Sequence, residues 1–143
     1  MLNIRLLQFK MQCFYYCYHN MKDINNREDI ELLVNKFYKK VKVDETIGYI
    51  FNEIANINWD KHLPKMYDFW ETVLLGKMSF KGNPMLTHIK LSKKTNINKI
   101  HFNCWLKLWI ETINNHFKGK IADNAKQRGQ NITGLMLYKI NNI

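Results

Sequence analysis

Between residues 102 and 117, apolar side chains return every three or four positions: Phe102, Trp105, Leu106, Trp109, Ile110, Ile113 and Phe117. That is the period of one face of an α-helix, and a stripe this wide and aromatic has to be covered by other elements. Gly119 is a natural stop after it. A chain organised around such a helix needs partners of the same kind, and the rest of the sequence supplies them. There is no convincing strand, Gly-rich phosphate loop or internal repeat. The pattern predicts an all-α fold with one core.

Four further helices can be placed. From Asn25 onward, Ile30, Leu33, Val34, Phe37 and Val41 keep helical spacing, with Asn26 as N-cap and Glu28 and Asp29 in the first turn. Asp44 and Gly48 end it, and a short apolar piece runs from Ile47 to Phe51. The next helix carries Leu63, Met66, Phe69, Trp70, Val73 and Leu74. Pro64 should sit in its first turn, so a start near Asp60 or Lys61 is expected, with Gly76 as the stop. Residues 77–83 read as a loop. Asn83-Pro84 then opens a short helix to about Leu91, a cap followed by proline at the first helical position. A last helix from Ile121 to Ile140 should turn Ile121, Ala125, Ile132, Leu135 and Met136 inward.

The 143 residues are enough for one domain. The first twenty differ from the rest, being apolar and aromatic with only Arg5 and Lys10 charged. The run is too broken for a membrane span and lacks a cleavage site, so residues 1–20 are expected to be a disordered tail or a start from an upstream codon. Residues 21–143 are then the domain. The net charge of +10 comes mostly from lysines scattered over polar helix positions. Dispersed charge makes a weak phosphate-tracking stripe, so no nucleic-acid partner is expected. Cys13, Cys17 and Cys104 form no CxxC, which excludes a zinc ribbon and a disulfide framework and fits a reducing cytoplasm.

Of five histidines, His19 lies in the tail, and His101 and His116 fall outside the inward stripe of their helix. His62 and His88 each sit beside an apolar stripe, on two helices separated by a loop. One imidazole above and one below a flat aromatic slot is an arrangement that suits haem iron. Taken singly, either histidine is more often structural. With no CxxCH, any haem would be held without covalent attachment.

Longer strings sharpen this reading. In order along the chain stand Phe37-Tyr38-Lys39-Lys40-Val41, Ile50-Phe51-Asn52, the run from Trp59 through His62-Leu63-Pro64-Lys65-Met66 to Phe69-Trp70, then Gly82-Asn83-Pro84 with His88 and Leu91, then Trp105-Leu106-Lys107-Leu108-Trp109. This succession, from about Asn25 to Tyr138, resembles the group III truncated haemoglobins of bacteria. The resemblance implies a truncated globin fold, two helices over two around a non-covalent haem b. It implies that His88 is the proximal iron ligand and that Tyr38, His62 and Trp105 line the distal side. Phe51 would pack on the haem plane, with Met66, Phe69 and Trp70 along the wall beyond His62. Phe37, Leu91 and Phe102 complete the expected pocket, and Lys65 could reach a propionate. The tail before Met21 has no counterpart in that pattern.

The chemistry of these residue types agrees with the implied roles. Bound dioxygen carries partial negative charge, and a phenol O–H and an indole N–H are neutral donors suited to it. Without the resemblance, Trp105 reads as core and Tyr38 as a polar-tipped residue at a helix edge. The expected function is reversible binding of dioxygen or another diatomic ligand at a five-coordinate iron, with slow release. The alternative is haem redox catalysis, peroxidase-like or dioxygenating nitric oxide. It would need a separate reductase, since no flavin or nicotinamide motif is present. The expected state is a monomer without a membrane partner.

Overall fold

The computed structural model describes residues 4–142. Its helices are α1 (Ile4–His19), α2 (Arg27–Val43), α3 (Trp59–Leu75), α4 (Pro84–Ser92), α5 (Lys99–His116) and α6 (Lys120–Asn141), with a five-residue π-helical turn at Ile50–Ile54. Among the described residues there is no strand. α2 packs on α3 and α5, α5 on α6, and α3 also on α6, so two helix pairs cross as the two layers of a truncated globin. The short α4 rests on α6, with none of its residues fully buried.

The expected start signals are used. The Asn26 side chain accepts the Asp29 amide at 3.0 Å, and Asn83 accepts the Leu86 amide at 3.1 Å, each satisfying a donor that the first helical turn leaves free. Gly76 closes α3 at φ 69°, a left-handed position where glycine carries no Cβ penalty. α3 starts one residue earlier than expected, at Trp59, because Asn58 caps it through the Lys61 amide at 3.2 Å. Pro64 therefore lies just beyond the first turn.

The inward face of α6 keeps Ala125 and Met136 buried and Ile121 and Ile132 against the core as expected, but not Leu135. Ala122, Ala125, Gly129, Thr133 and Met136 are buried, whereas Leu135 is 52 % exposed. The reason is Trp109. Its ring lies so close to α6 that a Cβ on Gly129 would stand 2.6 Å from it, so the helix turns its smallest residues toward α5. Gly119, at φ 150°, lets Asp23 reach in and accept the Ile121 and Ala122 amides at 2.9 and 2.8 Å, which caps α6 from across the chain.

The core runs from Ile24 through Ile30, Leu33, Val34 and Phe37 of α2 to Trp70 of α3 and Trp109 and Ile113 of α5. Trp70 and Trp109 stack with centroids 4.2 Å apart. A second cluster, with Ile50, Ile97, Phe102 and Met136 buried, lies beneath α4. An ionic knot on the outside ties α2 to α3. Arg27 bonds Asp68 at 2.7 Å and Glu71 at 2.9 Å, and Glu71 accepts the Ser79 hydroxyl at 2.7 Å. Thr72 holds the Ser79 and Phe80 amides, so the loop that leads into α4 is fastened to α3.

α1 stands outside this packing. Phe9, Met11, Phe14 and Tyr16 are each 67–72 % exposed. Residues 1–3 of the expected tail lie outside the described residues. No described helix is long and apolar enough to cross a membrane.

Candidate haem site

His88 sits in the middle of α4, which the Asn83 cap and Pro84 at the first position hold in register. Its Nδ1 lies 2.7 Å from the Pro84 carbonyl. A carbonyl can only accept, so Nδ1 carries the proton and donates, and Nε2 is left with a lone pair. Burial lowers the His88 pKa, while the bond to Pro84 pulls it the other way. A neutral imidazole of fixed tautomer, with its outer nitrogen free, is the form that ligates a metal.

His62 is on the first turns of α3. Its ring meets Tyr38 edge-on at 5.4 Å and Trp59 edge-on at 5.8 Å. Its Nε2 is buried and, among the described residues, is the buried side-chain polar atom with no hydrogen-bond partner. Burial first, then the positive charge of Lys65, push the His62 pKa down to about 4, with a smaller contribution in the same direction from His88 whenever that ring is protonated.

Tyr38, on α2, is 4 % exposed and touches the rings of Phe37, Phe51, Trp59 and His62. Burial raises its pKa, so it stays a protonated phenol. Trp105, on α5, is half-buried, edge-on to Phe37 at 5.0 Å and stacked on Trp109 at 5.7 Å. Trp109 donates its indole N–H to the Ala125 carbonyl at 3.0 Å. Among the described residues, no protein acceptor takes the Tyr38 hydroxyl or the Trp105 indole N–H.

The remaining expected residues divide by neighbourhood. Phe37 and Trp70 are buried in the main core, and Met66, Phe69 and Trp105 pack against it. Phe102 is buried in the second cluster with Leu91 against it, and Phe51 touches both clusters. Phe69 lies edge-on to Trp70 and to Phe80 of the loop before α4, both at 5.2 Å. Lys65 is exposed and acts on His62 through its charge. Trp70 stacks on Trp109, so its face is spent on the core.

Two residues in this neighbourhood were not singled out from sequence. Trp59 joins Tyr38, Phe51 and His62, and Lys42 at the end of α2 places its ammonium 4.3 Å from the Trp59 ring centroid. The signal was present in the string that begins at Trp59, but spacing along one helix does not show that Lys42 of another helix lies over its ring.

Among the described residues, no three His, Cys, Asp or Glu side chains gather into a metal site. An iron held here would need most of its ligands from elsewhere, which is what a porphyrin supplies. The residues fit such a group, with one neutral histidine aimed by a backbone carbonyl and a second carrying an unpartnered buried nitrogen.

An all-helical two-layer protein with this pair of histidines is a globin by its architecture. The chain belongs to the bacterial-like globin family, whose profile matches residues 21–135, and within it to the group III truncated haemoglobins. It is 33 % identical over 120 residues to the group 3 truncated haemoglobin of Campylobacter jejuni, covering 80 % of this chain and 92 % of that protein. The crystal structure of a group III truncated haemoglobin from the same organism superposes with a TM-score of 0.73 at 31 % identity, covering 84 % of this chain and 95 % of the other. Membership in the globin family implies a haem iron cofactor.

Proposed function

We propose that this chain holds a non-covalent haem b through His88 and retains dioxygen or a similar diatomic ligand on the opposite face, beside Tyr38, Trp105 and His62. The reading is carried by His88. Its Nδ1 is committed to the Pro84 carbonyl at 2.7 Å, which fixes the ring and frees Nε2 for iron. When bound, the haem supplies an iron with one open position for a small ligand. The chain's own residues do the rest. The Tyr38 hydroxyl and the Trp105 indole N–H, neither taken by a protein acceptor among the described residues, donate to a ligand that carries partial negative charge. Neutral donors in a buried site add about 1 kcal/mol each, several-fold in residence time. His62, neutral at pH 7, closes the distal side and gates entry.

The relatives named as truncated haemoglobins support the haem and the diatomic ligand. Slow release would follow if the two donors reach the same ligand, and it would suit capture or chemical handling of the ligand more than bulk carriage. The test is spectroscopic. Full-length protein should show a five-coordinate ferrous spectrum that converts on adding carbon monoxide, and His88→Gly should lose haem unless imidazole is supplied. An unchanged ferrous spectrum in His88→Gly without imidazole refutes the assignment.

A further inference from the structure

The aromatic group around His62 includes rings beyond the proposed donors and gate, namely Trp59 and Phe51. Trp59 is the first residue of α3, three positions before His62, and its ring stands edge-on to the imidazole at an interplanar angle of 86°. Tyr38 stands edge-on to the same imidazole at 83°. With an aromatic ring beside it on each contact, the imidazole is restricted in rotation. A rotation that carries the imidazole out of this arrangement breaks its edge-on contact with Trp59.

Trp59 is itself held. Its ring is stacked with Phe51 at 21°, and Lys42 places its ammonium 4.3 Å from the ring centroid. A cation at that distance is attracted by the electron-rich face of an indole, the best of the aromatic side chains for this contact. The backbone of Lys42 is fixed in turn, because the Asn52 side-chain amide donates to the Lys42 carbonyl at 2.9 Å. The π-helical turn that carries Phe51 is joined to the approach of α3 by the Ile57 amide, which donates to the Phe51 carbonyl at 3.0 Å. Asn56 adopts φ 47° between them, the left-handed position that asparagine tolerates better than most residues, and so turns the chain into α3 with Trp59 facing this cluster.

We propose that Lys42 and Trp59 form a brace that holds the His62 gate shut, so that the rate at which a small ligand reaches the site is set by how firmly Lys42 retains Trp59. Trp59 is a positioning residue here, acting through His62. The inference rests on the haem reading above and adds to it the device that controls entry.

The experiment is laser flash photolysis of the full-length ferrous carbon monoxide form, with the carbon monoxide stretching band recorded by infrared on the same samples. Lys42→Met keeps the length of the side chain and removes the cation. It should raise the association rate about two- to fivefold, the kinetic equivalent of a typical exposed cation–π contact. Trp59→Ala should raise it about tenfold or more and split or shift the stretching band as His62 takes several positions. Trp59→Phe keeps an edge for His62 to lean on and should stay near the unmodified rate. The deciding comparison is made in a His62→Ala background, where Trp59→Ala should add nothing if it acts through His62. Association rates within twofold of the unmodified protein for both Lys42→Met and Trp59→Ala overturn the brace. So does an acceleration by Trp59→Ala that persists without His62, since the indole would then be the barrier itself. Failure of the unmodified chain to bind carbon monoxide at all overturns the haem reading, and the brace with it.

Discussion

Gly129→Ala should destabilise this protein, although alanine is the better helix former. Gly129 lies inside α6 where that helix crosses Trp109. An added Cβ would stand 2.6 Å from Trp109 Cδ1 and 2.9 Å from Nε1, with Leu106 Cδ1 also within reach at 3.5 Å. Carbon atoms rest at about 3.5–4.0 Å, so the ring or the helix must shift by on the order of 1 Å. Trp109 has nowhere to go. It is 0 % exposed, stacked on Trp70 at 4.2 Å, and bonded to the Ala125 carbonyl of α6 itself. Overpacking of this kind costs about 1–3 kcal/mol. Loss of the indole bond adds about 1 kcal/mol. The helix-propensity gain returns about 1 kcal/mol. The net loss is about 1–3 kcal/mol, or roughly 4–12 °C in midpoint for a chain of this size. Gly134, five residues on in the same helix, meets nothing within 4 Å, so Gly134→Ala should stabilise by up to about 1 kcal/mol. Urea unfolding of the two variants with a common m-value decides the matter. If Gly129→Ala matches or exceeds the unmodified protein, the close approach of α6 to Trp109 is not as described, and neither is the support beneath Trp105, which stacks on Trp109.

Three other outcomes are expected. Tyr38→Phe and Trp105→Phe should each speed dioxygen release about tenfold, if each bond contributes on the order of 1.4 kcal/mol, and should change carbon monoxide release much less. Equal acceleration for both gases in stopped-flow measurements would show a steric effect instead of donor chemistry. His62, with its pKa held down to about 4 by burial first and then by Lys65 and His88, is neutral in the folded protein where an unfolded chain would bind a proton. Its contribution is therefore intact above about pH 6.5 and lost as the pH falls toward 4, by about 1–2 kcal/mol once its partial exposure is allowed for. Unfolding titrations of the protein against His62→Gln should differ in slope over that window and converge above it. Removing residues 1–20 should leave haem content and thermal midpoint nearly unchanged, since α1 exposes its apolar side chains; a loss of several degrees would show that it packs on the domain.

Much of the fold was legible because its signals are local. Asn26, Asn83 and Gly76 act within one turn of where they stand, so a reader of spacing can place helix ends with them. The inward face of α6 was not legible in the same way. Of the expected stripe, Ala125 and Met136 are buried and Ile121 and Ile132 pack against the core, but Leu135 is exposed, and the fully buried line also takes in Ala122, Gly129 and Thr133. Hydrophobicity does not mark Gly129 as inward; the closeness of Trp109 does, and that closeness is a property of two helices together. The same is true of the α6 cap, whose acceptor, Asp23, lies 98 residues before Ile121.

The site divides along the same line. The His88 ring bond is local, since Nδ1 and the Pro84 carbonyl lie about one helical turn apart in the sequence. The residues proposed for the distal side and the rings that touch them come from four separate segments: Tyr38 on α2, Phe51 on the π-helical turn, Trp59 and His62 on α3, and Trp105 on α5. No periodicity joins them, so only the family likeness selected Tyr38, His62 and Trp105 from the other aromatic and histidine residues. Trp105 and Trp109 show why the choice is hard from sequence. They lie four residues apart on one stripe and stack on each other, yet one spends its N–H on the Ala125 carbonyl while the other spends its N–H on no protein acceptor among the described residues. The core and the proposed site thus draw on the same residue type on one helix face. What sets Trp109 apart is that its polar atom is used inside the protein, and that depends on α6 passing close to it.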